Sequence, residues 1–289
     1  MTPHDDYAER AYCHLSNPNG DEVTLLLHGL GADHRQPLAL LGDQPLEGSA
    51  VLAPDLRAHG ATPVVGGAEA FTFAALLDDV RALLERTGQS GKPTHLVGIS
   101  MGAALALRAA LEGAVTVASL TLVRPAFDEH PLPENLRVMA LIGDILQTSY
   151  GATGKRTLSA TPEFRAVAAV SPLGAASLLA QFDDPRAQQR SERLRSVPKN
   201  TAYGSPIELG TLSTSTLVIG TDRDPVHPLA LAGTWARAIP GARLDVVPAR
   251  DDDAALNAAV TSRSVLRHLQ EARQDSELTV GQRPGQLAV

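Results

Sequence analysis

Cysteine occurs once in 289 residues, at Cys13. A lone thiol excludes an intramolecular disulfide framework and a multi-cysteine metal site, and within its short apolar run Cys13 reads as a strand residue. No apolar stretch approaches the ~20 residues of a membrane-spanning helix. The opening run MTPHDDYAER has early acids and no apolar core, the opposite of a secretory signal, so a cytoplasmic protein is expected. Lysine occurs only at positions 92, 155 and 199; with abundant alanine, this leaning on arginine suits a GC-rich bacterial genome. The net charge of −7 comes without a basic run or interleaved aromatics, which disfavours nucleic acid and anionic membranes as partners. A small molecule is the expected ligand, and no cofactor is called for.

With 44% hydrophobic residues and 20% charged, the chain can bury one sizeable core with an inserted subdomain. Apolar runs at 12–16 and 23–27 flank Asn17-Pro18-Asn19-Gly20, whose Asn-Gly pair favours a tight hairpin, so the chain is expected to open with paired strands. Strand and helix patterns then alternate: strand 50–53, helix 73–86, strand 94–99, helix 101–112 and strand 118–123. The alternation resumes with strand 216–220, helix 228–239, strand 243–247 and helix 254–273. Short unbroken apolar strands with intervening helices predict a mostly parallel central sheet with helices on both faces. Residues 126–212 carry helical patterns only, including apolar segments at 164–170 and 175–182 split by Ser171-Pro172-Leu173-Gly174. They read as a helical cap inserted between core segments 1–125 and 213–273. The polar, aperiodic tail 274–289 reads as disordered.

Gly98-Ile99-Ser100-Met101-Gly102 sits between the strand at 94–97 and an alanine-rich helix. A serine at such a strand-to-helix turn is held in a strained conformation with its hydroxyl exposed, the glycines being needed where backbone crowds. A second apolar strand ends in His28-Gly29-Leu30-Gly31, placing the Leu30 N–H beside that of Met101 as an oxyanion hole. Asp55-Leu56-Arg57-Ala58-His59-Gly60 follows a third strand, and Asp222-Arg223-Asp224-Pro225-Val226-His227-Pro228 a later one. With these four motifs in order over roughly residues 10 to 272, the chain resembles the α/β-hydrolase fold family of serine-nucleophile enzymes with a helical cap. The resemblance implies Ser100 as nucleophile, Asp224 as triad acid with Asp222 as runner-up, Leu30 and Met101 as oxyanion donors, and structural roles for His28 and His59.

The family places its histidine in the loop after the last strand. Here that loop, 248–257, has none. His268 lies ~18 Å further along the terminal helix, at 1.5 Å per residue, and reads as a helix-surface residue. His34, His130 and His227 lie on loops leaving strand ends, where ligands bind in α/β sheets. His227 ranks first as substitute base because it shares the loop of Asp224, although Pro228 beside it also marks a helix start. Asp251-Asp252-Asp253 reads as a complement to the helix dipole at the start of the last helix, so no metal is expected. The leading function is chemistry on an ester, thioester or related acyl group of a small, largely apolar molecule through Ser100. A lyase, isomerase or cyclase using the same pocket, and a non-catalytic small-molecule binder, are the alternatives that the absent histidine raises.

Overall fold

The computed structural model describes residues 2–42 and 46–281, with side chains as far as Gln274. Its strands are β1 (Cys13–Ser16), β2 (Glu22–Leu27), β3 (Ser49–Pro54), β4 (Thr94–Ile99), β5 (Val117–Val123), β6 (Thr216–Thr221) and β7 (Arg243–Val247). The helices are α1 (Pro3–Arg10), α2 (Arg35–Leu38), α3 (Phe73–Arg86), α4 (Met101–Leu111), α5 (Arg137–Thr148), α6 (Gly151–Ser159), α7 (Pro162–Val170), α8 (Pro172–Leu179), α9 (Ser191–Ser196), α10 (Pro206–Leu209), α11 (Leu229–Ala238) and α12 (Ala254–Gly281). The seven strands form one sheet in the order β1-β3-β2-β4-β5-β6-β7. Every neighbouring pair is parallel except β1 with β3. This is the α/β-hydrolase fold.

Alternation along the strands divides the core between the two faces. Leu25, Leu27, Leu96, Leu120 and Leu122 pack into the larger cluster with α3 and α4, whereas Leu26, Val97, Ile99, Leu217 and Ile219 face Val265 and Leu269 of α12. Burial of both faces explains why the strands read as unbroken apolar runs.

The expected opening hairpin is corrected. A tight turn does form, with Gly20 N–H donating to Asn17 O at 3.0 Å, but β3 enters between β1 and β2 and pairs with both. Gly20 lies against the start of β3, where a Cβ would fall 2.4 Å from Ala50 N; the turn wraps around another strand instead of closing a ladder. At the other end, α12 continues to Gly281, beyond the expected boundary at residue 274, while residues 282–289 of the expected disordered tail lie outside the described residues. None of the described helices is long and apolar enough to cross a membrane.

Between β5 and β6 the chain makes a helical excursion, α5 to α10. Thr161 and Ser171 accept from backbone N–H groups at the starts of α7 and α8, each with proline at the first helical position. Arginines pin this excursion to the turn after β3: Arg190 donates to Gly60 O and Thr62 O at 3.0 Å each, Arg186 to Gly60 O at 2.8 Å, and Arg193 to Ala58 O.

Candidate active site

The site begins at the C-terminal ends of the central strands. Ser100 follows β4 directly and has φ 55° and ψ −109°, an unusual conformation for a residue with a side chain. Its N–H is anchored on Val123 O at 2.9 Å. The flanking glycines allow the crossing: a Cβ on Gly98 would lie 2.1 Å from Gly102 O, and one on Gly102 would lie 2.1 Å from Leu27 O. The turn thus presses α4 against both β4 and β2 and leaves the Ser100 hydroxyl at the rim.

The loop after β6 carries two groups toward that hydroxyl. One oxygen of Asp224, Oδ1, accepts from the N–H groups of Val226 and His227 at 3.2 Å each, which folds the intervening residues into a tight turn. The turn brings the His227 ring back over its own acid, with Nδ1 2.9 Å from Asp224 Oδ2. His227 Nε2 lies 2.9 Å from Ser100 Oγ. Burial alone would raise the Asp224 carboxyl, but the charge and hydrogen bonds of His227, together with Arg124 at 3.8 Å, outweigh it and hold the group well below the usual carboxylate range. Asp224 is therefore ionised and only accepts. In a neutral His227 the Nδ1 facing this carboxylate is the nitrogen that carries the proton, which leaves the Nε2 lone pair toward the serine.

Ser100, Asp224 and His227 line a cavity of about 310 Å³ shared with Gly29, Leu30, Arg124, Phe127, Arg250 and residues from α5 and α8, a size suited to a small molecule. Residues of the helical excursion, among them Met139 of α5 and Leu178 of α8, thus form part of the cavity wall. Met101 opens α4, so its N–H has no intrahelical acceptor. The loop bearing Leu30 is fixed on both sides: Gly29 N–H donates to Gln36 Oε1 at 2.8 Å, and the buried Asp55 carboxylate accepts from His34 N–H and Ala61 N–H at 2.8 and 2.7 Å. His28 is fully buried, its Nδ1 2.8 Å from Gly29 O and its Nε2 accepting from Leu56 N–H at 3.0 Å, and burial holds its pKa down to about 4. It clamps the loops after β2 and β3 as a neutral imidazole. His59, also buried, packs against it with ring centroids 4.7 Å apart and planes tilted by 55°.

The remaining candidates stay apart from Ser100. His34 binds Asp55 through Nδ1 at 2.8 Å and lines a neighbouring, more polar cavity, which shares Gly31, Ala32, Ala180 and Gln181 with the first but not Ser100. His130 is 71% exposed beside Asp128. His268 is corrected from surface to interior: it is 3% exposed on the side of α12 facing the sheet, on a cavity that Ser100 does not line. Asp222 is exposed, and its carboxylate accepts from the Arg223 N–H at 2.9 Å. The acidic run splits three ways. Asp253 accepts from Leu256 N–H at 2.9 Å at the start of α12, Asp252 pairs with Arg223, and Asp251 reaches the start of α8, accepting from Ser171 Oγ at 2.5 Å and Leu173 N–H at 2.8 Å. Only Asp253 thus behaves as expected. Sequence reasoning overlooked Arg124 and Arg250. Arg124 follows β5 with φ 50°, and Arg250 stands in the β7 loop where a histidine was sought; those positions were the available signal.

Comparison with known proteins agrees with this architecture. The sequence profile described as the alpha/beta hydrolase family matches residues 24–260. MenH from S. aureus is similar in structure, with a TM-score of 0.69 at 17% identity over 91% of this chain and 99% of that one. A thermophilic esterase from Thermogutta terrifontis gives a TM-score of 0.68 at 19% identity over 91% and 93%. Among curated proteins, Protein ABHD8 of Homo sapiens is 34% identical over 99 residues, which are 32% of this chain. The match spans 21% of that relative's length.

Proposed function

Because the chain belongs to the alpha/beta hydrolase family, we propose that it is a serine hydrolase acting on an ester, thioester or related acyl group of a small molecule, with a triad of Ser100, His227 and Asp224. The observation that carries this reading is the 2.9 Å approach of His227 Nε2 to Ser100 Oγ, with Asp224 behind the ring at 2.9 Å. The core is formed by residues 1–125 and 213–273, and residues 126–212 cap the site.

In this reading the Ser100 proton passes to His227 Nε2 as Oγ bonds to the acyl carbon. The carbonyl electron pair moves onto oxygen and is held by the N–H groups of Leu30 and Met101. Asp224 stabilises the imidazolium through Nδ1–H. Collapse breaks the bond to the leaving group, which takes the proton from Nε2. Water then repeats the sequence on the acyl-enzyme and restores Ser100. The alternatives of a lyase, isomerase or cyclase and of a non-catalytic binder rested on the lack of a base, and a histidine 2.9 Å from Ser100 Oγ favours the hydrolase reading over them. A fluorophosphonate probe is expected to label wild-type protein at Ser100 and to leave Ser100→Ala unlabelled, alongside turnover of a 4-nitrophenyl ester. Folded protein that shows neither labelling nor turnover would refute the proposal.

A further inference from the structure

The cavity over Ser100 has mainly apolar walls, among them Phe127, Leu136, Met139 and Leu178, broken by three ionised side chains, Asp224, Arg124 and Arg250. Asp224 is shared between His227 at 2.9 Å and Arg124 at 3.8 Å. Arg250 is only half-exposed and, among the described residues, has no hydrogen-bond or ion-pair partner. Of the acids beside it in sequence, Asp252 pairs with Arg223, while Asp251 is hydrogen-bonded to Ser171 and Leu173 and feels the Arg250 charge without forming an ion pair with it. Within the cavity two guanidiniums face one carboxylate, so one positive charge is unmatched there, beside apolar surface that solvates it poorly.

A guanidinium offers a planar fork that fits a carboxylate through paired charge-assisted hydrogen bonds. We infer that the substrate is an acyl compound bearing a carboxylate, which Arg250 holds at the β7 side of the cavity while its apolar part lies against α5 and α8. A monoanion cancels the single unmatched charge. A phosphate dianion would leave excess negative charge near Asp224 in an apolar chamber, so the carboxylate fits better. The inference rests on the proposed acyl chemistry at Ser100 and replaces the expectation of a largely apolar substrate with an amphiphilic one.

The test compares hydrolysis of the 4-nitrophenyl monoester of glutarate with that of 4-nitrophenyl pentanoate, in wild type, Arg250→Gln and Arg250→Lys. Wild type is expected to favour the monoester in kcat/KM, chiefly through KM. Arg250→Gln is expected to lose about ten- to a hundredfold more kcat/KM on the monoester than on the neutral ester, the range of one charged hydrogen bond. Arg250→Lys keeps the charge and is expected to retain part of the preference. Equal losses on both esters, or a wild-type preference for pentanoate, would overturn the inference. If neither ester turns over, the acyl reading fails separately, and calorimetric titration of wild type and Arg250→Gln with glutaramate, a monoanion, decides the rest. Binding that depends on Arg250 supports the carboxylate site; binding that does not, or absence of binding at millimolar glutaramate, overturns it.

Discussion

Substituting His227 by alanine is expected to lower kcat on a 4-nitrophenyl ester by about 10⁶-fold, about 8 kcal/mol of transition-state stabilisation. Full loss is expected because no other described side chain lining the cavity is placed to stand in: Arg124 and Arg250 are cations, and Asp224 is held by its turn through Oδ1 and stays paired with Arg124 through Oδ2 at 3.8 Å. Asp224→Asn is expected to cost about 10⁴-fold, for a reason specific to this turn. Oδ1 accepts two backbone N–H groups, at 3.2 Å each, so the amide oxygen of asparagine must stay there and its NH₂ must face His227 Nδ1. The ring then has to accept at Nδ1 and carry its proton on Nε2, where it can no longer take one from Ser100. Combining Ser100→Ala with His227→Ala is expected to cost no more than either alone, since the residues act as a unit. His130→Ala, at a side chain 71% exposed and outside the cavity, serves as control and keeps wild-type turnover. Steady-state kinetics on variants with unchanged circular dichroism and melting give the answer. His227→Ala within tenfold of wild type, or additive losses in the double variant, would refute the reasoning.

Other expectations concern stability, read from urea denaturation. Gly102→Ala drives a Cβ to 2.1 Å from Leu27 O, a backbone clash expected to cost about 3 kcal/mol or more; an unchanged midpoint would contradict the tight crossing of α4 over β2. Asp79→Ala strips the buried Arg57 of the carboxylate that pairs with it at 2.8 and 2.6 Å, expected to cost about 3–5 kcal/mol; a loss under 1 kcal/mol would show that the pair contributes little. Burial lowers His28 from 6.5 to about 4, so between those values the unfolded chain takes a proton that the folded one refuses. Its contribution is whole above about pH 6.5 and declines by about 3 kcal/mol as pH falls through that window to 4, with the buried His59 adding to the decline. Equal stability at pH 7 and pH 4.5 would exclude this linkage.

Much of the architecture is legible in local pattern. The run at 94–99 and the helix at 73–86 appear at the boundaries their periodicity predicts, and the alanine-rich helix expected over 101–112 ends one residue earlier, at Leu111, because strands buried on both faces and helices with one apolar stripe leave different spacings. The pairing of β1 was not legible. An Asn-Gly turn reports only that the chain reverses, and the strand that slips between the two arms lies some thirty residues away in sequence. His268 was misjudged for a similar reason: distance along α12 says nothing about which face meets the sheet. His227 lies between these cases. Its separation of three residues from Asp224 is a local signal, since one turn can place both side chains together, but its reach to Ser100 depends on where β6 sits relative to β4. Strand order supplies that, with β5 alone between them.

In the proposed triad, acid and base stand on one turn. Where the histidine stands on the loop after the last strand, its alignment with the acid depends on how β6 and β7 are registered against each other. Here the turn's own hydrogen bonds, Asp224 Oδ1 to the Val226 and His227 N–H groups, set that alignment within a few residues. Only the placement of Ser100 relative to the turn remains to the sheet, and Ser100 N–H to Val123 O together with Arg124 N–H to Ile219 O, at 2.9 and 2.7 Å, stitch those strand ends together. The β7 loop is thereby released from holding the base. It retains two tasks: Asp251 fastens it to the start of α8, and Arg250 enters the cavity. A loop tied at once to α8 and to the cavity is suited to selecting what enters, while in the proposed triad proton transfer is left to the turn after β6.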